Sequence, residues 1–338
     1  MIVFPMNVIV NDQRHQYRLL SMIKSWLLLQ CLFSIWPMFQ AFNLDTSIPV
    51  YKFGPKDSYF GYSVAEHIIK QSPSQLKSVL LVGAPRTKTD RIRTGALFKC
   101  DLTTRTRDCV NLYVDPDNST FVENVDKEDQ WLGVTVKSQG EGGYVMVCAH
   151  RYVHKGADFR WGNGICYSLT QYLDYSKSYE PCRGRLVNLA HEEFGFCQAG
   201  TSGEISKNYE ILIGSPGPYT WRGTVFANNI RFSIRDDKTW YMGPVIEGKS
   251  PVSKYSYLGM SVASGDFFGD KLIIASGAPR SNGTGQVIFY NKDSRKIEFD
   301  LRGILNGEQF ASSFGYSMTS LDCDGDKLVN LSFPSIFT

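Results

Sequence analysis

Beyond residue 41 the sequence contains no apolar run long enough for a transmembrane helix, so nothing after that point is expected to cross a bilayer as one. Charge of one sign is scarce as well. A formal net charge of +3 over 338 residues gives no reason to expect a nucleic-acid partner. There is no CxxC spacing of the kind a zinc site favours, no HExxH and no GxSxG nucleophile elbow. His150 and His154 stand as HxxxH, but at the end of a strand candidate rather than on a helix, and they read as turn or surface residues. No catalytic residue is assigned, and the chain is not read as an enzyme.

What is present points to β structure. The composition is 43% hydrophobic and 13% aromatic with 30 glycines, enough for a substantial core and many turns. Residues 257–290 show the unit: a Leu-Gly opening into Met260-Ser261-Val262, an apolar run Leu272-Ile273-Ile274-Ala275 ending in Gly277-Ala278-Pro279, then Gln286-Val287-Ile288-Phe289-Tyr290. Short apolar runs bounded by Gly, Pro and Asn predict strands. The unit recurs. Phe60-Gly61-Tyr62 leads to Gly83-Ala84-Pro85; Trp131-Leu132-Gly133 to Cys148-Ala149-His150; Phe194-Gly195-Phe196 to Gly214-Ser215-Pro216. A fifth unit opens at Phe314-Gly315-Tyr316-Ser317. The middle residues of the Gly-Ala-Pro-like turns sit at 84, 149, 215 and 278, at intervals of 65, 66 and 63. That period predicts propeller blades, or a similar radial array, in which each unit buries its faces against its neighbours.

The N-terminus has the layout of a secretory leader. Lys24 precedes an apolar run from Trp26 to Phe33, and small and polar residues follow to Ala41, placing the mature start at Phe42-Asn43-Leu44-Asp45. A buried N-terminal helix is the alternative. Residues 1–21 read as an extension ahead of a possible start at Met22. Export suits the cysteines: Cys31 leaves with the leader, and Cys100, Cys109, Cys148, Cys166, Cys182 and Cys197 form a close-spaced even set, with Cys323 left over. Sequential pairing is preferred among the fifteen connectivities that six cysteines allow. Asn118, Asn282 and Asn330 head glycosylation sequons.

These FG…GAP repeats resemble the β-propeller head of integrin α subunits over residues 42–330. The FNLD start, the three cysteine pairs in the first three repeats and Tyr219-Thr220-Trp221-Arg222-Gly223 agree with that resemblance. It implies an all-β, FG-GAP propeller of seven blades, of which this chain would hold about four plus the start of a fifth. Residues 331–338 read as a divergent tail of a truncated chain, the thigh and calf domains, membrane helix and cytoplasmic tail being absent. Repeat four lacks an acidic metal loop, since Asp266-Phe267-Phe268-Gly269-Asp270 has too few carboxylates at the needed spacing, and a long insert covers 231–256. Both features look most like the laminin-binding subclass without an inserted I domain. The implied partners are an integrin β subunit and an extracellular-matrix protein of laminin type, outside the cell.

Site candidates follow from residues and resemblance together. Asp322, Asp324, Asp326, the carbonyl of Leu328 and Asn330 would supply alternating oxygens for one Ca²⁺, resembling the family's calcium loop between the first two strands of a blade. Lys327 and Asn330 depart from that loop, and a solvated acidic turn is the alternative. Asp236, Asp237, Trp240 and Tyr241 in the insert are candidate ligand contacts. The resemblance implies that aromatics after the repeat glycine (Tyr62, Phe196 and Tyr316) help grip a basic side chain of the β subunit by cation–π contact, with Val134 and Met260 at two matching places. Finally, Gly243–Ser250 fits GxxxxGK[ST], the phosphate-cradling loop. It lacks a buried strand before it and helical periodicity after it, and is read as a chance match, with a phosphate-loop nucleotidase or FG-GAP-bearing hydrolase as remote alternatives.

Overall fold

The computed structural model describes residues 49–117, 123–231, 240–269, 272–293, 295–322 and 330–332. The leader at 1–41 and the start at 42–45 lie outside them. Of the unit Met1–Pro49 only Pro49 is described, and Val50–Thr338 forms one compact unit. Among the described residues the regular structure is nearly all strand, arranged as an incomplete β-propeller. Blade one is the antiparallel meander Ser63–Ser72, Gln75–Ala84, Ala96–Asp101, Val110–Leu112. Blade two is Thr135–Ser138, Val145–Ala149, Ile165–Leu169, Tyr175–Tyr179. Blade three is Ser202–Ile205, Glu210–Ser215, Thr224–Asn229, Tyr241–Met242, and blade four is Ser261–Gly265, Ile273–Ala278, Gln286–Asn291, Asp300–Asn306. A fifth begins with Thr319–Leu321 paired to Asn330–Ser332.

The second and third strands carry the apolar runs because they are covered on both faces. Alternation decides which neighbour each residue meets. In blade three, Ile211 and Ile213 enter the core shared with blade two, while Leu212 enters the one shared with blade four. In blade four, Ile274 faces blade three and Ile273 and Ala275 face Met318 of the fifth blade.

Polar contacts repeated at every junction set the spacing of the blades. The hydroxyl two residues after each repeat glycine donates to the carbonyl of the next repeat glycine. Ser63 donates to Gly133 (2.7 Å), Thr135 to Gly200 (2.9 Å), Ser202 to Gly259 (2.9 Å) and Ser261 to Gly315 (2.7 Å). A backbone bond accompanies each, from Leu132 to Thr94, Ala199 to Asn163, Leu258 to Arg222 and Phe314 to Thr284, at 3.0 to 3.1 Å. Only glycine tolerates this approach. At the junction of blades three and four, Gly223 has φ +83° and a Cβ there would lie 2.0 Å from the Leu258 carbonyl oxygen. At Gly259, φ +92°, it would lie 2.3 Å from that of Thr224.

The lattice corrects three sequence expectations. Blade three is organised on Gly200, not Gly195: it is Gly200 whose N–H bonds the Gly214 carbonyl, as Gly259 does with Gly277. Phe194-Gly195-Phe196 therefore lies five residues ahead of the register. The 231–256 insert is not wholly between blades, because it contains the fourth strand of blade three, whose Trp240 and Met242 face the core. Leu331 and Ser332, expected in a divergent tail, pair with Ser320 and Thr319 in the fifth blade.

The cysteines are joined as Cys100–Cys109, Cys148–Cys166 and Cys182–Cys197. The second bond links residues directly opposite on neighbouring strands, and Cys148 occupies the place that glycine holds in the other Gly-Ala-Pro turns.

Removing a junction hydroxyl leaves a glycine carbonyl without its donor. Ser202→Ala is expected to lower unfolding stability by ~1 kcal/mol, measured by urea denaturation. Ser202→Thr, which keeps the donor, is expected to lose less than half as much.

Candidate functional site

Neighbouring strands run antiparallel, so the turns between second and third strands and the blade-to-blade connections emerge at one end of the blades. Repeat glycines, Gly-Ala-Pro turns and most exposed aromatics gather there. In blade one and at its border with blade two, the Tyr59 ring lies under the Arg86 guanidinium (4.9 Å), and Tyr59 and Tyr62 meet Trp131 edge-on at 6.0 and 5.6 Å. Arg151 lies 5.8 Å over Trp131, and in blade four Arg280 lies 5.1 Å over Tyr257. The arginine after each Gly-Ala-Pro-like turn thus caps the aromatic two residues before the repeat glycine. Such cation–π pairs hold both side chains on the surface.

Blade three breaks the rule, having Gln198 and Gly217 at those places. Its turn instead contains three consecutive residues at positive φ: Tyr219 (53°), Thr220 (59°) and Trp221 (52°). Left-handed backbone costs energy in non-glycine residues and persists only where its surroundings fix it. Here the carbonyls of Thr220 and Trp221 accept bonds from Tyr255 and Tyr257. The turn sends Trp221 outward, where it stacks on Phe196 (6.3 Å) and His191 (6.0 Å). Phe196 meets Trp161 edge-on at 6.4 Å, and Trp161 stacks on Phe159 at 5.7 Å. The result is a partly exposed aromatic strip from blade two to blade three. Sequence reasoning did not assemble it, because its members come from three separate segments of the chain.

The anticipated site residues fare differently. Tyr62 and Tyr316 follow repeat glycines and are half exposed, 53% and 50%. Phe196 belongs to the strip, and the residue in register with Tyr62 in blade three is Thr201. Trp240 is 3% exposed and packs edge-on against Tyr179 and Phe226, both at 6.1 Å; as a core side chain it presents no contact to a ligand. Tyr241 is half-buried beneath the Lys292 ammonium, 4.1 Å from its ring. Asp236 and Asp237 lie outside the described residues, as do Asn118, Asp324, Asp326 and Leu328. Asp322 is exposed and follows Thr319–Leu321, while Asn330 opens the partner strand, so the candidate calcium loop is the connection of that hairpin. Among the described residues no cluster of three His, Cys, Asp or Glu side chains is poised for a metal. Asn282 is exposed in the turn Ser281–Gly283. Bends and turns follow Gly243–Ser250, not the helix that a phosphate cradle requires. His150 lies in the turn after the second strand of blade two and His154 in the separate small strand Val153–Lys155.

No protein-family model matches the sequence. Individual proteins do. Chicken (Gallus gallus) integrin alpha-6 is 38% identical over 311 residues, covering 85% of this chain and 28% of that protein. Rat (Rattus norvegicus) integrin alpha-7 is 38% identical over 316 residues, covering 87% and 27%. Human integrin alpha-6 is 34% identical over 352 residues, covering 85% and 30%. The chain belongs to the integrin alpha family. It spans less than a third of the length of these integrin alpha relatives. Among solved structures, a Trypanosoma rangeli sialidase mutant displaying trans-sialidase activity overlaps at a TM-score of 0.38 and 13% identity, over 86% of this chain and 47% of that one. So loose an overlap carries no argument. Among the described residues of this integrin alpha chain, no helix is long and apolar enough to cross a membrane.

Among the shifted ionisable groups of this integrin alpha chain, His150 is the one whose shift spans the mildly acidic range. Burial, with a smaller contribution from the Arg151 charge, pushes the His150 imidazole down from 6.5 to about 4, edge-on to Trp131 at 5.7 Å. The unfolded chain therefore takes up a proton near pH 6.5 that the folded one refuses until about pH 4. His150 contributes its full stability above pH 6.5 and loses it as pH falls toward 4. Comparing urea midpoints at pH 7.5 and 4.5, we expect a smaller acid-induced drop in His150→Gln than in the parent.

Proposed function

We propose that this chain is the ligand-reading head region of an integrin-type adhesion receptor. In this reading it pairs with an integrin β subunit outside the cell and binds a matrix protein of laminin type in a divalent-cation-dependent way. The observation that carries this reading is the 33–38% identity to integrin alpha-6 and alpha-7 subunits over about 85% of the chain. Tyr62 and Tyr316, half exposed and each following a repeat glycine, support the pairing: in this reading they receive a basic side chain from the β subunit. The strip of Phe159, Trp161, Phe196 and Trp221 offers the aromatic anchors that protein interfaces favour, with Asp236 and Asp237 as further ligand contacts.

Calcium enters through the hairpin connection of the fifth blade. Asp322, Asp324, Asp326, the Leu328 carbonyl and Asn330 would hold a hard cation there, fixing the turn rather than taking part in chemistry. Secretion through the endoplasmic reticulum, with glycans on Asn118, Asn282 and Asn330, completes the reading. A second reading, a chain that is secreted or retained alone, is separated from the first by the same experiment.

Co-expression with an integrin β subunit followed by pull-down tests the proposal. The expected outcome is a complex that captures immobilised laminin in Ca²⁺ or Mn²⁺ and releases it in EDTA. Tyr62→Ala is expected to weaken pairing about fivefold, in line with the loss of one exposed cation–π contact. Recovery of the chain without β subunit overturns the receptor reading in favour of the second. For the cation alone, Ca²⁺ is expected to raise the melting temperature of the parent and not of Asp324→Ala.

A further inference from the structure

Immediately behind the strip, Arg222 is buried without a full set of partners. It is 4% exposed, and its Nε has no hydrogen-bond partner. Nη1 reaches only the Val252 carbonyl, at 3.4 Å, and Nη2 lies 3.6 Å from a Glu247 carboxylate oxygen, beyond hydrogen-bond distance. The Glu247 side chain is itself 83% exposed. A desolvated guanidinium with five donors, one long bond and one loose ion pair to a largely solvated carboxylate is left under-satisfied. Arg222 also floors a cleft of about 510 Å³, walled by Glu247, Ser250, Ser253 and Lys254.

The backbone fixes this geometry. The left-handed turn Tyr219–Trp221 ends at Arg222, whose carbonyl is tied to Leu258 at the blade junction, so the guanidinium enters the cleft from a rigid base. The opposite wall is the second half of 231–256, including the Glu247, Gly248 and Ser250 of the phosphate-cradle look-alike. Nε and Nη2 form the parallel donor edge of a guanidinium, the edge that matches the two oxygens of a carboxylate. That edge is the one left without a hydrogen bond, with Glu247 poised at a distance beside it.

We propose that the Arg222 cleft is a receptor for an acidic side chain, an Asp or Glu carboxylate of a protein partner, with Glu247 as the internal placeholder that the incoming group displaces. Ser250 and Ser253 supply hydroxyls on the walls and Lys254 a cation at the mouth. The site is separate from the aromatic cage for the β subunit and from the calcium loop, and it requires only blades three and four. Its failure therefore leaves the pairing experiment above untouched.

The test uses the full secreted chain and a tetraglutamate peptide as probe, with a heparin tetrasaccharide as the sulfated comparison and binding read by calorimetry. Glu247→Gln is expected to bind the peptide about threefold tighter, because removing the placeholder raises the fraction of molecules with the edge vacant. Arg222→Lys is expected to bind about tenfold more weakly, having lost the planar fork. Ser253→Glu, which places a carboxylate in the cleft and tests the site should Arg222→Lys fail to fold, is expected to abolish binding. Unchanged or weaker binding in Glu247→Gln, or full binding in Ser253→Glu, overturns the proposal. Heparin binding that exceeds peptide binding and is lost in Ser253→Glu overturns the carboxylate assignment in favour of a sulfated glycan.

Discussion

A single hydrogen bond, repeated, governs how the blades stand together: a serine or threonine hydroxyl on the first strand of one blade meets a glycine carbonyl on the next. The apolar cores supply most of the stabilising area, but area is non-directional and would tolerate sliding. The hydroxyl bond does not. It specifies which residue of one blade faces which residue of the next, and it demands a glycine because the acceptor backbone comes too near for any Cβ. The exposed features at that end inherit their positions from this contact. Tyr62 stands one residue before the donor Ser63, Tyr316 one residue past the acceptor Gly315, and the Arg222 carbonyl belongs to the same junction as Gly259.

Much of this was legible in the sequence, and the failures have physical causes. Central strands were readable because both faces are buried, which concentrates Val, Ile, Leu and Ala into unbroken runs. Fourth strands such as Asp300–Asn306 and Tyr241–Met242 were not: they lie at the outer edge, where one face meets solvent and the apolar signal thins. Blade three was misregistered because Phe194-Gly195 imitates the motif five residues early. The hydroxyl would have resolved it, since Gly200 is followed two residues later by Ser202 whereas Gly195 is followed by Cys197. Trp240 reads from sequence as a candidate ligand anchor because the two-residue edge strand Tyr241–Met242 is too short to leave an apolar signal in the insert. Once its last residues form a strand, alternation turns that ring into the core.

The surface that reads a partner was the least legible part. Phe159, Trp161, His191, Phe196 and Trp221 are scattered over some sixty residues, and only the disposition of blade two, the segment before blade three and one left-handed turn brings them into file. The same turn that exposes Trp221 buries Arg222. Two adjacent residues thus serve opposite environments, and the strained backbone between them is what makes that division possible.

The junction bond also has a direction. In every case the donor lies earlier in the chain and the acceptor 54 to 70 residues later. During synthesis each blade must therefore wait for its successor, roughly 3 to 14 seconds at ~5–20 residues per second, with its forward face uncovered. Cover therefore reaches the blades in chain order during synthesis, and the newest blade is the one still waiting for it. A chaperone that recognises half-covered β faces would find its substrate at the growing end of the chain, moving along the protein one blade at a time.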